Sequence, residues 1–248
     1  MKRGQWLSIV YQKEMSILFD QTVNTLASGC CQFRRLGTVE YMSARALQQN
    51  LAGARSSSQA PDTLLLLEHP PTYTLGYNSN SDNVLASKQW IKENNIAVYK
   101  VDRGGDVTFH GPGQLIGYPV IQLAKGPREA VLYIRRLEKV LISVLQCWGL
   151  RGTRLKKPSG HGFYTGVWVG GEKVAAIGIK VDANQVTQHG FALNVHTDLS
   201  YFNKIIACGI KDRNVTSLSR ILEREIVMEE VMDRVEWAFQ RVFAVEPT

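Results

Sequence analysis

No apolar run in the chain approaches the ~18 residues that a bilayer-spanning helix needs. The tightest cluster, Leu64-Leu65-Leu66-Leu67, is only strand-sized. A membrane-spanning reading is therefore set aside. Met1-Lys2-Arg3 is positive, but Gln12, Lys13, Glu14, Ser16, Asp20 and Gln21 interrupt the residues after it, so the ~7–15-residue apolar core of a secretory leader is poorly met. An organellar presequence stays open, although Glu14 and Asp20 count against it. Cysteine is sparse: Cys30, Cys31, Cys147 and Cys208 are the four in 248 residues, and none has C-x-x-C spacing. That fits neither a disulfide framework nor a zinc site. Reduced thiols in the cytoplasm, or in an organelle if the chain is eukaryotic, are the expectation. Internal repeats and low-complexity linkers are also lacking between Phe33 and Phe243.

What is present is an ordinary globular composition, 44% hydrophobic and 21% charged, with 29 Lys+Arg against 22 Asp+Glu for a net charge of +7. Nucleic acid, anionic lipid and an acidic protein are all open as partners for such a charge, and from charge alone a solvated basic surface with no partner is the favoured explanation.

Residues 1–31 show no clear period and read as an N-terminal extension, with one domain over 32–248. Thr38 can cap a helix over 39–54, in which Tyr41, Ala44, Leu47 and Leu51 share a face. Thr63 to Leu67 reads as a strand buried on both faces, ended by His69-Pro70-Pro71. A helix over 85–94 and a strand over 96–101 come next. Residues 114–122 read as a strand near a sheet edge, because Pro119 cannot donate to a ladder. A long helix begins near Pro127 and runs to Trp148, with Val131, Ile134, Leu137 or Glu138, Leu141, Leu145 and Trp148 in register and Gly149 as its stop. Turns at Gly170-Gly171 and Ala183-Asn184 predict an antiparallel meander. A short helix starts near Asn214 or Thr216, and 228–243 is an amphipathic helix. The pattern predicts an α+β domain, with helices packed on a mixed, largely antiparallel sheet.

Three stretches carry candidate chemistry. In Arg103-Gly104-Gly105-Asp106-Val107-Thr108-Phe109-His110-Gly111-Pro112-Gly113-Gln114, four glycines allow close backbone approach to a ligand, and Arg103, Thr108, His110 and Gln114 supply donors. It is no Walker loop, since no Gly-Lys-Ser/Thr follows. Two tight turns around a short strand, with His110 in the core, describe it as well. In Gly166-Val-Trp-Val-Gly170-Gly171-Glu172-Lys173-Val-Ala-Ala-Ile-Gly178, Lys173 heads an apolar strand. A desolvated ammonium there can accept a proton or pair with a thiolate, whereas a hairpin lysine can also snorkel to water. In the third, His189-Gly-Phe-Ala-Leu-Asn194 is followed by Ile205-Ile206-Ala207-Cys208-Gly209. Cys208 before a glycine can be an exposed thiol among backbone N–H groups, which with a nearby Lys173 favour the thiolate, or simply a small buried hydrophobe. Cys147, inside the long helix, fits the second description, and Cys30 and Cys31 fall outside the expected core.

Together these segments, with His69-Pro-Pro-Thr-Tyr-Thr-Leu-Gly76 and Val215-Thr-Ser-Leu218, resemble the lipoyl(octanoyl) transferases in the same order along 33–243. The resemblance implies the fold of biotin and lipoate protein ligases. It also implies transfer of an octanoyl group from the phosphopantetheine thioester of an acyl carrier protein to a lysine of a lipoyl domain. The acceptors would be lipoyl domains of 2-oxoacid dehydrogenase complexes and the glycine cleavage H protein, and lipoyl carrier protein is a second donor it allows. No cofactor, metal, nucleic acid or membrane is implied. Carried over by residue, Cys208 is the acyl-thioester nucleophile and Lys173 lowers its pKa. Substrate contacts fall to Arg103, Gly104, Gly105, Asp106, Val107, Thr108, Phe109 and His110, then Ala176, Ile177 and Gly178, then Gly190, Phe191 and Ala192. Ala207 stands where many relatives have proline. Ile177, Phe191, Leu193 and Tyr77 are candidates for an acyl tunnel.

Two other readings remain. A lipoate ligase of the same fold would need ATP, for which no convincing nucleotide loop is present, and it would give the Cys208/Lys173 pair no role. A nucleic-acid module would rest on Arg151, Arg154, Lys156 and Lys157, which lack interleaved aromatics.

Overall fold

The computed structural model describes residues 31–156, 164–207 and 214–243. The N-terminal extension expected over 1–31 lies outside these except for Cys31, and so does Cys208.

The all-apolar run of β2 (Thr63–Glu68) sets the architecture, because a strand with no polar face must be covered on both sides. It lies between β1 (Gln32–Thr38), to which it is parallel, and β6 (Gln114–Val120), to which it is antiparallel. With β9 (Thr187–Asn194), β8 (Glu172–Val181) and β7 (Gly166–Val169) they form a six-stranded sheet in the order β1-β2-β6-β9-β8-β7. Leu64 and Leu66 face a core shared with α3 (Glu129–Gln146) and α5 (Met228–Phe243), while Leu65 and Leu67 face α1 (Tyr41–Ser56). Full burial of each leucine contributes ~1.5–3 kcal/mol.

A second, three-stranded sheet pairs β3 (Thr72–Leu75) in parallel with β4 (Ala97–Lys100) and antiparallel with β5 (Val107–His110). Its own small core gathers Tyr73, Ile96, Val107, Phe109, Phe202 and Ile205. The result is the mixed α+β arrangement the sequence predicts, with antiparallel pairs dominant.

Several expectations are corrected. Residues 114–120 form a central strand rather than an edge. Proline is tolerated because the β6–β9 ladder pairs only Gln114 to Gly117 with Phe191 to Asn194. Beyond it the Thr187 hydroxyl donates to the Pro119 carbonyl at 2.7 Å, so the side of Pro119 that lacks an N–H faces a stretch served by a side chain. The helix expected over 85–94 shrinks to α2 (Lys88–Glu93), capped by Ser87, because the Leu85 and Ala86 N–H groups both donate to the Lys204 carbonyl. In α3 the expected Leu137, Glu138, Leu141 and Leu145 are buried, joined by Tyr133, Val140 and Val144, whereas Val131 is exposed. Cys147 sits at the C-terminal cap of α3 and is exposed, whereas Cys31 packs against the main core. The late short helix is α4 (Leu218–Leu222), capped by the Ser217 hydroxyl. Gly170 and Gly171, at φ of 59° and 87°, make the left-handed turn that a two-residue hairpin requires.

Candidate active site

The loop from β4 to β5 folds back over β8. Gly178 permits this: a Cβ there would lie 3.0 Å from the Gly104 carbonyl oxygen and 3.2 Å from Arg103 Cδ. The Gly104 N–H then donates to the Ile179 carbonyl at 2.9 Å. The Arg103 guanidinium is buried and bonds the Thr74 carbonyl, the Thr74 hydroxyl oxygen and the Asp106 carbonyl at 2.8–2.9 Å, which holds the loop closed.

Between this loop and strands β8 and β9 lies a cavity of about 270 Å³, at the small end for a ligand pocket. Arg103, Gly104, Gly105, Asp106, Thr108 and His110 line one wall. Lys173, Ala176, Ile177 and Gly178 of β8 line a second, with Gly190, Phe191 and Ala192 of β9 beside them. Strand alternation turns Val107 and Phe109 away from it, into the small core of the second sheet. Of the tunnel candidates, Ile177 and Phe191 border the cavity, Leu193 belongs to the main core and Tyr77 is 81% exposed. Tyr41, Tyr118, Tyr164, Thr165 and His189 also line the space. Sequence reasoning did not single these out for the cavity. Tyr41 reads as a helix-face core residue, and nothing in the periodicity of β6 marks Tyr118.

Lys173 is buried, with only 7% of its surface exposed, and its ammonium lies 4.9 Å from the centre of the Trp168 ring, a favourable cation–π distance. Its backbone N–H donates to Asn214 and its carbonyl accepts from Thr216, both at 2.9 Å. A small space behind it is bordered by Asn194, Ala207 and Val215. The described residues on both sides of the segment 208–213 therefore border Lys173 or its strand.

His110 and His189 line the cavity and His69 packs against His110 and Tyr118, all three kept neutral by burial. His69, with a pKa pushed down to about 4, donates from Nδ1 to the Val39 carbonyl and accepts the Tyr118 hydroxyl at Nε2. His189 is likewise pushed down to about 4 by burial, against the pull of Asp102, to which its Nε2–H donates at 3.0 Å. Burial tends to raise the Asp102 carboxyl, but hydrogen bonds from Lys180 and His189 outweigh it and hold the group well below the usual range. His110 is pushed far below its ordinary value by burial first and then by the neighbouring His69 ring and the Arg103 guanidinium. The fixed partners of the site leave its Nδ1–H donating to Gln114 and its Nε2 accepting from the Thr74 hydroxyl. All three rings are committed to structure, and the ammonium of the β8 wall is Lys173.

Comparison with known proteins bears on what this cavity serves. The Lipoyl protein ligase A/B catalytic domain model matches residues 40–240. The chain belongs to this family. Relatives within it named octanoyltransferase include one from Caldicellulosiruptor bescii, 44% identical over 215 residues that cover 86% of this chain and 92% of that protein. Another, from Rubrobacter xylanophilus, is 47% identical over 211 residues, covering 84% and 92%. Among solved structures, a putative lipoate protein ligase from T. acidophilum superposes with a TM-score of 0.64 at 15% identity over 86% of this chain and 85% of that one. At that identity the superposition shows a shared fold. This member of the family is an acyltransferase, and the ligase-like fold is the one the sequence motifs imply.

Proposed function

We propose that this protein takes an octanoyl group from the phosphopantetheine thioester of octanoyl-acyl carrier protein, holds it as a thioester on Cys208, and passes it to a lysine of a lipoyl domain. Acceptors of this chemistry are the lipoyl domains of 2-oxoacid dehydrogenase complexes and the glycine cleavage H protein, with lipoyl carrier protein as a second donor. One catalytic domain over 32–248 carries both half-reactions. The observation that carries the reading is the position of Lys173: buried, at the wall of a cavity, and flanked by Ala207 on one side and 214–216 on the other.

In the first half-reaction the Cys208 thiolate attacks the donor carbonyl. The carbon–sulfur bond to phosphopantetheine breaks, and the departing thiolate takes a proton from the Lys173 ammonium, which leaves Lys173 neutral. One thioester replaces another, so the step is close to isoenergetic and the acyl group is stored. A Lys173 ammonium beside the thiol favours the thiolate that must attack. In the second, the acceptor amine, protonated near neutral pH with an ordinary pKa near ~10.4, must lose a proton before it attacks the Cys208 thioester. Acylation removes the thiolate charge, so neutral Lys173 is the base at hand to take that proton. A carbon–nitrogen bond then forms, the nitrogen's second proton is released to solvent, and Cys208 leaves as thiolate. The apolar faces of Ile177 and Phe191 suit the acyl chain, and Arg103, which holds its loop closed, keeps that wall in place.

The test is a choice of donors. Incubated with a lipoyl domain, the protein is expected to modify it with octanoyl carrier alone and to leave it unmodified with free octanoate and ATP. Modification in the second reaction but not the first would identify a ligase instead.

A further inference from the structure

The cavity and the Cys208 chemistry make no use of two residues of the glycine-rich and His-Gly-Phe-Ala-Leu-Asn motifs. These are Gln114, at the start of β6, and Asn194, at the end of β9. They pair in register across the two strands and are buried to 1% and 4% exposure. Apolar residues would fill such a position without the cost of burying two amides.

Their hydrogen bonds form a directed chain. Arg103 occupies the Thr74 hydroxyl oxygen, so the Thr74 proton goes to His110 Nε2. His110 Nδ1–H donates to Gln114 Oε1, and the Gln114 amide donates both to the Phe109 carbonyl and to Asn194 Oδ1 at 2.9 Å. Asn194 Nδ2 donates to the Thr216 carbonyl at 2.9 Å. The Thr216 N–H in turn donates to the carbonyl of Lys173. The chain thus joins the Arg103 loop on one wall of the cavity to the backbone of Lys173 on the other, and Asn194 is its last side chain.

We infer that Asn194, aligned by Gln114, is a positioning residue that fixes 214–216 against Lys173 and so sets where the Lys173 ammonium stands relative to the acyl-transfer nucleophile. This rests on the proposed role of Cys208. Asn194 touches no reacting atom in this role. Its effect passes through Lys173.

The experiment is a double-variant cycle read at the thiol. Alkylation of Cys208 near pH 7 is followed by peptide mass mapping in the wild type, Asn194→Ala, Lys173→Ala and the double variant, with exposed Cys147 as the internal control. Asn194→Asp is the second variant: it keeps the oxygen that accepts from Gln114 and loses the amide that donates to Thr216. Asn194→Ala and Asn194→Asp are each expected to slow Cys208 alkylation roughly tenfold, the effect of a one-unit rise in the thiol's pKa. The double variant should be no slower than Lys173→Ala, Cys147 should react unchanged, and kcat should fall with KM for the carrier unaltered. Wild-type alkylation in both Asn194 variants would overturn the inference. So would multiplying effects in the double variant, or a loss confined to melting temperature. Cys208→Ser run alongside separates the two claims: if it still forms an octanoyl adduct, the nucleophile reading itself fails and the inference falls with it, whereas an adduct lost there with normal Asn194 variants defeats the inference alone.

Discussion

At the scale of single residues, the site turns on which groups carry charge. Lys173 is the cation that borders both the cavity and the residues flanking Cys208, so Lys173→Ala is expected to slow acylation and deacylation together while melting near the wild type. Equal alkylation of the two proteins' Cys208 across a pH series would argue against any coupling. The histidines predict a pH dependence of a different kind. His69 and His189 have pKa values held near 4 by burial, against an ordinary value of 6.5. The unfolded chain therefore binds protons more readily between those values, and stability must rise with pH across that window. Stability is thus complete above about pH 6.5 and is lost as pH falls toward 4, by on the order of a few kcal/mol for each ring. Thermal melts of the wild type and His69→Gln should show it: the variant is less stable near neutral pH, but its melting temperature falls less steeply on acidification. A flat profile for the wild type over this range would show that the rings are not held neutral.

At the scale of elements, local signals recovered what local interactions decide. The doubly covered strand at Leu64 to Leu67, the Gly170-Gly171 hairpin and the helix of Met228 to Phe243 are legible in the sequence because their periodicity and turn chemistry coincide with what the tertiary structure asks of them. Misreadings came where a distant partner overrides the local signal. Pro119 suggests an edge strand, and a central one is acceptable because the β6–β9 ladder ends at Gly117 and the Thr187 hydroxyl, 68 residues away in sequence, serves the Pro119 carbonyl. The helix start at Leu85 is lost to the Lys204 carbonyl, and β1 and β3 carry no turn or alternation strong enough to mark them. Within the site, the glycine-rich loop was legible as a place of close approach. The alternation that turns Thr108 and His110 inward and Val107 and Phe109 outward becomes assignable once β5 is seen to pair with β3. A prediction belongs here. Gly178→Val puts bulk where a Cβ alone already stands 3.0 Å from the Gly104 oxygen, so it should push the Arg103 loop from β8. The expected result is a KM for the octanoyl donor raised on the order of tenfold or more, measured with the lipoyl-domain assay. An unchanged KM would mean that the loop does not shape the acyl site.

At the scale of the molecule, the net charge of +7 gains a role if the partners are acidic proteins. The basic cluster named from sequence is divided in the structure. Arg154 lies 4.0 Å from the buried carboxylate of Glu138, which also takes Arg135 at 2.6 Å, so its charge is partly committed to the fold. Arg151 and Lys156 are exposed, and Lys157 lies outside the described residues. Reversing Arg151 and Lys156 to glutamate should therefore raise KM for the carrier, most at low salt, without altering Cys208 alkylation. Unchanged KM would place docking elsewhere. Covalent storage of the acyl group on Cys208 is read by intact mass after incubation with octanoyl carrier and no acceptor, followed by peptide mapping. One octanoyl group is expected, on the peptide containing Cys208, absent in Cys208→Ser and discharged when a lipoyl domain is added. An undiminished adduct in Cys208→Ser, or transfer to the lipoyl domain by that variant at the wild-type rate, would contradict it.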